Sequence, residues 1–237
     1  HVDDIDDTLR RCEAVLAPAG LIAIDFHHVL GLVHGQVDVI SHTHRCYLSL
    51  HALERALARH GLAVRAVREI AEFGGTIRVL AGRDGDRLAP ESIDPGDRDR
   101  VRAAERAAQL DVSDGFSNVE NMIRQGSGRL RDFLDDARTS GSSVVGYGAS
   151  SRGTTFLNIA GVDVEALPLV VDRAVSKQGK YLPRARIPVA APSDIDRVRP
   201  DHILVLPWPS APEISRQMAH VSDWGARFVV PLPTLRV

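Results

Sequence analysis

A short apolar strand, Val144-Val145, runs straight into Gly146-Tyr147-Gly148-Ala149-Ser150-Ser151-Arg152-Gly153 and from there into a helix-forming stretch. This turn constrains the chain more than any other stretch. Glycines at 146, 148 and 153 let the backbone bend sharply between strand and helix and bring N–H groups to the positive end of the helix, where an anion is stabilised. Around it, strand signals at Leu167–Val171, Ile203–Leu206 and Phe228–Val230 alternate with helix signals at Thr154–Ile159 and Glu213–Ala219. That alternation predicts a parallel sheet flanked by helices over residues 141–237.

The first part reads as a second α/β piece. Asp3–Leu16 has helical spacing of apolar residues and ends at Ala17-Pro18-Ala19-Gly20. Leu21–Phe26 is an apolar run broken only by Asp25, the pattern of a strand covered on both faces. Ser49 caps a helix with Leu50, Leu53 and Leu57 on one stripe, ending at Gly61. Ala63–Ile70 and Thr76–Leu80, joined through Phe73-Gly74-Gly75, predict an antiparallel pair at a sheet edge. The expected organisation is an α/β half-domain over 1–82, a linker with connecting helices over 83–140, and a compact α/β domain over 141–237. Gly82–Asp99 is the most loop-like part of that linker, and Val101–Leu110 and Val119–Arg138 supply the helices.

Composition removes several classes of function. The 237 residues carry a net charge of −2, so no basic surface points to a nucleic-acid partner. Two cysteines, Cys12 and Cys46, are too few for a disulfide framework or a four-cysteine zinc site and suit a reducing, cytoplasmic setting. The longest apolar runs are strand-sized, far short of the ~20 residues of a membrane span. Only Lys177 and Lys180 among the 29 basic residues are lysines. Both fall in one short loop.

Two stretches carry chemistry. At the glycine turn, Ser150, Ser151 and Thr154 offer hydroxyls, Arg152 offers a planar cation suited to phosphate, and Asp172, ending the next strand, stands where a ribose hydroxyl is met in dinucleotide-binding folds. The alternative is that the glycines merely permit a tight strand-to-helix turn, though a purely structural turn does not need these hydroxyls and Arg152. In the other stretch, six of the ten histidines lie between His27 and His51, and His42, Thr43, His44, Cys46 and Tyr47 form its polar centre. Were residues 42–46 extended, His42, His44 and Cys46 would share a face, yet the spacing is not that of a zinc motif and no metal is assigned. His27, His28, His34 and His51 read as structural.

Gly146-Tyr147-Gly148-Ala149, Arg152-Gly153, Val171-Asp172-Arg173, Lys177-Gln178-Gly179-Lys180-Tyr181-Leu182-Pro183, Ile187-Pro188-Val189, Trp208 and Phe228-Val229-Val230-Pro231-Leu232-Pro233 together resemble the sugar C-methyltransferases, which act on nucleotide-linked keto-deoxysugars. The fold class expected is α/β: part of a Rossmann-like methyltransferase domain, then a second small Rossmann-like domain. The resemblance implies that Gly146–Thr154, Asp172, Lys177, Lys180 and Tyr181 hold the nucleotide of the substrate. It also implies S-adenosylmethionine as methyl donor. The family's cysteine-rich zinc domain and glycine-rich donor loop are expected before His1 and are absent from this sequence, which therefore reads as a fragment with an incomplete cofactor site.

In the histidine stretch the resemblance is to a Tyr-His-Glu-His motif with a further Tyr three residues on. His42, His44 and Tyr47 match it, whereas Ser41 stands for the Tyr and Thr43 for the Glu. A ketone acidifies the neighbouring C–H, and a base of near-neutral pKa can remove that proton before methyl transfer. His44 is the candidate base, with His42 and Tyr47 beside it. The Ser41 and Thr43 departures keep open a non-catalytic nucleotide-binding module. The glycine turn with Asp172, taken alone, also fits a nicotinamide-dependent oxidoreductase.

Overall fold

The computed structural model describes residues 1–41, 43–70, 75–86, 96–117 and 119–237. The chain forms two compact units, the first of residues 1–34 and 42–118, the second of residues 35–41 and 119–237.

In the first unit, α1 (Ile5–Val15) begins at Asp4, whose side chain accepts a hydrogen bond from the Asp7 N–H at 3.0 Å. Asp6 and Asp7 add negative charge to its first turn, the favourable end for it. β1 (Ile22–His27), β2 (Leu62–Ile70) and β3 (Thr76–Arg83) form a sheet of order β1-β3-β2, with β3 antiparallel to both neighbours. A short helix, α2 (Val29–Val33), follows β1, and α3 (Leu50–Arg59) is capped as expected by Ser49, whose hydroxyl oxygen accepts the Ala52 N–H at 3.0 Å. The α3 stripe Leu50, Leu53 and Leu57 packs with Leu9 of α1, with Ile77, Val79 and Ala81 of β3, and with Val101 of α4 (Gly96–Ala107).

Covering of both faces of β1 is not what is found. Ile22, Ile24 and Phe26 pack toward the core, while Ala23 and Asp25 are exposed. The apolar run is therefore an alternating strand. Its outer face carries the cross-strand pair Asp25–Arg78, with Nε–Oδ1 at 2.8 Å and Nη2–Oδ2 at 2.7 Å. Asp25 and His27 share that face.

The second unit is a parallel sheet of order β6-β5-β4-β7-β8, made of β4 (Val144–Tyr147), β5 (Val170–Val171), β6 (Val189–Ala190), β7 (His202–Val205) and β8 (Arg227–Val229). Its helices are α5 (Val119–Ser140), α6 (Ser151–Ala160), α7 (Asp194–Val198) and α8 (Ala211–Gln217). The chain builds outward from β4 through β5 to β6, then returns to β7 on the other side. The strand order thus switches direction between β4 and β7, the place where open α/β sheets take ligands beyond the strand ends. Tyr147 ends β4 there, and Leu206-Pro207-Trp208 follow β7. Val145, Val171, Ile203 and Val205 fill the core beneath.

Candidate functional sites in each unit

The outer face of β1 leads into a pocket of about 220 Å³ in the first unit, lined by His1, Asp25, Phe26, His27, His44, Cys46, Tyr47 and Thr76. His44 is ringed by aromatic neighbours, with centroids 5.0 Å from His1, 5.3 Å from His27 and 6.1 Å from Tyr47. The side chains reach it from different elements. Alternation along β1 places His27 beside Asp25, and register with β3 sets Thr76 opposite His27, with Thr76 Oγ1 3.4 Å from His27 Nδ1. Arg78 beside Asp25 holds that carboxyl below its usual pKa through hydrogen bonding, outweighing the opposing effect of partial burial. The stretch 43–46 is turn and loop rather than strand.

The histidine loop is fastened at both ends. The Val29 N–H donates to the Leu48 carbonyl at 3.1 Å, and the His28 N–H donates to Gly75 at 3.0 Å. Buried Glu105 of α4 then joins the two ends: its Oε1 lies 2.7 Å from His28 Nε2 and accepts the Leu50 N–H, and its Oε2 accepts the His51 N–H at 3.1 Å. Glu105 is only 2% exposed, yet it sits at the N-terminus of α3, where a carboxylate is favoured. Burial pushes its pKa up; hydrogen bonds from His28, Leu50 and His51 overcome this and hold it below the ordinary value. His28 is structural, as expected. His27, expected to be structural too, lines the pocket instead.

In the second unit the glycine turn stands beyond β4 as expected, but its glycines answer to the protein's own packing. Gly148 has φ of +87°, and a Cβ there would fall 2.5 Å from Pro207 Cδ; one at Gly153 would fall 2.5 Å from Leu206 Cβ. The same holds at Gly146, where a Cβ would fall 2.7 Å from Val170 Cγ2. Ser150 caps α6, its hydroxyl oxygen accepting the Gly153 N–H at 3.0 Å, and Thr154 Oγ1 donates to the Ser150 carbonyl at 2.8 Å. Ala149 is buried and Ser151 exposed. Tyr147 is 5% exposed, and its burial raises the hydroxyl pKa.

Arg152 is committed to a carboxylate. Its Nε donates to Asp38 Oδ2 at 2.6 Å, Trp208 Nε1 donates to the same oxygen at 2.7 Å, and the guanidinium lies 5.0 Å from the Trp208 ring centroid. Asp38 is 2% exposed and lies in a short 3-10 helix, Val37–Val39, that belongs to this unit. An internal anion thus lies against the first turn of α6 and the end of β7, near the switch in strand order. Lys177 makes a second brace, with Nζ donating to the Ala149 carbonyl at 2.9 Å and to Asp172 Oδ2 at 3.1 Å. Asp172 Oδ1 accepts the Ala174 N–H at 2.7 Å. The loop after Lys177 folds back on β6, the Gly179 N–H donating to Val189 and the Val189 N–H to Lys180, which leaves the Lys180 and Tyr181 side chains exposed.

Each unit therefore gathers the residues read together from the sequence. His44 and Tyr47 share the first pocket, while His42 lies outside the described residues. The turn, Asp172 and Lys177 are joined in the second. Three participants were missed: His27, Asp38 and Glu105. Alternation along β1 was the available signal for His27. The other two act across long sequence separations that leave no local pattern.

Residues 71–233 match the family profile described as the C-methyltransferase C-terminal domain. The whole chain aligns over 241 residues at 32% identity with C-methyltransferase NovU of Streptomyces niveus, covering 100% of this chain and 56% of that relative. It spans about half the length of the curated relative it matches.

Proposed function

This chain belongs to the C-methyltransferase family, and from that premise we propose that it serves S-adenosylmethionine-dependent methylation of a carbon beside the ketone of a nucleotide-linked keto-deoxysugar. The observation that carries the reading is the placement of His44 in a pocket with Tyr47. An imidazole is the side chain best matched to proton removal near neutrality, and a phenol beside it supplies a donor for the enolate oxygen that forms. Ser41 and Thr43 carry no phenol and no charge, so Tyr47 is the donor assigned here.

The nucleotide is assigned to the second unit. Its phosphates would meet the N–H groups of the first turn of α6 and the ammonium of Lys180, and Tyr181 offers a ring for the base. Arg152, engaged by Asp38, is assigned to shaping this surface instead of holding phosphate. The glycine turn is assigned to that nucleotide and not to the methyl donor. The work assigned to this chain is accordingly substrate binding and proton handling.

Calorimetry with thymidine diphosphate tests the nucleotide role. Binding is expected, weakened about tenfold or more by Tyr181→Ala combined with Lys180→Ala. Absence of heat with the unaltered chain sinks it. The departures at Ser41 and Thr43 favour a second reading, a nucleotide-binding module without catalysis. Deuterium incorporation from D2O beside the ketone of a thymidine-diphosphate keto-deoxysugar separates the two, since only a working base catalyses that exchange.

A further inference from the structure

His27 was read as structural, yet it is an ionisable side chain that a regular strand holds beside His44. It projects from the last position of β1, beside Asp25, with its ring centroid 5.3 Å from that of His44 and Thr76 Oγ1 3.4 Å from its Nδ1. Strand register rather than loop conformation fixes it. His1 lies at similar distance from His44 but is exposed and belongs to no element.

We propose that His27 is a proton-relay residue that acts through His44. The proposal rests on the reading of His44 as the base. When the C–H bond beside the ketone breaks, its electron pair stays with the carbon as the enolate and the proton forms an N–H bond on His44. A cation then stands one imidazole diameter from a second imidazole. That second ring, 5.3 Å away between centroids, offers a nitrogen lone pair to which the proton can move. His44 passes its proton to a ring nitrogen of His27, directly or through one water, and His27, which is only half-buried, releases it to solvent. His44 is thereby returned to the neutral form needed for the next turnover. Nothing is oxidised or reduced.

The other groups facing the pair leave this role to His27. Asp25 is engaged in its two-point contact with Arg78, Arg45 lies 3.4 Å from Asp3, and Phe26, Thr76, Tyr47, Cys46 and His1 complete the wall. Asp25 sits on the same strand face as His27 and stabilises a cation arriving there.

Two measurements on this chain test the proposal. In the first, the ring protons of His44 are followed by NMR through a pH titration, with and without His27→Gln. Expected is a broadened, two-step curve for His44 that becomes a single-site curve in His27→Gln and stays two-step in His1→Ala. The second follows deuterium exchange beside the ketone of the nucleotide-linked sugar. His27→Gln is expected to slow it about tenfold or more, with imidazole added to the buffer restoring much of the rate. A His44 curve indifferent to His27→Gln overturns the relay, whatever the exchange rate. An exchange rate unchanged by His27→Gln overturns it as well. Coupled curves in a chain that shows no exchange would strike the base reading, and with it the relay, while leaving the imidazole pairing intact.

Discussion

The glycine turn of the second unit and the histidine pocket of the first use their polar residues differently. The turn looks like a ligand cradle, yet Pro207, Leu206 and Val170 explain its glycines, Asp38 engages Arg152, and Asp172 engages Lys177. The pocket contains a histidine that looks structural, yet His27 faces into it. A residue type suited to binding is thus spent on holding a backbone when an internal partner of opposite charge lies within reach. His27, on the outer face of a strand covered on one side, turns its ring to the pocket instead.

The sharpest way to break this contrast is Asp38→Ala. It leaves the Arg152 guanidinium and the Trp208 N–H without their shared carboxylate, and breaking such a buried pair from one side costs about 3–5 kcal/mol. Urea unfolding of the second unit, followed by tryptophan fluorescence, should register that loss. A change below about 1 kcal/mol would mean that Arg152 is available to a ligand after all. Next, Gly153→Val forces a side chain onto Leu206 and should cost about 1–3 kcal/mol by overpacking. Full stability in that variant would mean that the backbone there has room beside Leu206.

Glu105→Gln probes the corresponding clasp in the first unit. It retains an acceptor for the helix N–H groups but loses the charge, at about 1–3 kcal/mol. The pH dependence has a definite sign. Glu105 has a lower pKa folded than unfolded, so its contribution is complete above the unfolded value, about 4.3, and vanishes as the pH falls through the folded value. Acid unfolding monitored by circular dichroism should therefore be steeper in the unaltered chain than in Glu105→Gln. The smallest effect is expected from Lys177→Met. Its partly exposed ion pair contributes under about 1 kcal/mol, so the change should appear as faster amide exchange at Ala149 and Ser150 with little shift in stability.

Where sequence and structure agree, the signal is local. Ser49 three residues before the N–H it caps, the apolar stripe Leu50, Leu53 and Leu57, and the glycine after α3 are each written within one or two helical turns. The short strand β6 escaped because Val189 and Ala190 sit between Pro188 and Pro192, leaving no run long enough to show a period. β1 was misread for a related reason: Leu21–Phe26 has the composition of a doubly covered strand, and only its pairing with β3 settles which face meets the core. In the site, His44 and Tyr47 were legible because they stand close together in a recognisable stretch. Asp38 reaches Arg152 across 114 positions and Trp208 across 170, and no periodicity or spacing records a partnership of that length.

The excursion of residues 35–41 into the second unit bears on how such proteins can be recombined. Residues 119–237 look like a cassette that could be exchanged between relatives. They are not a self-sufficient one, because the carboxylate that neutralises Arg152 is encoded some eighty positions upstream, embedded in sequence of the other unit. A chimera joined near residue 119 inherits its guanidinium from one parent and its counter-ion from the other. Compatibility at position 38 therefore decides whether a graft at that seam is tolerated, and a productive exchange carries both pieces together.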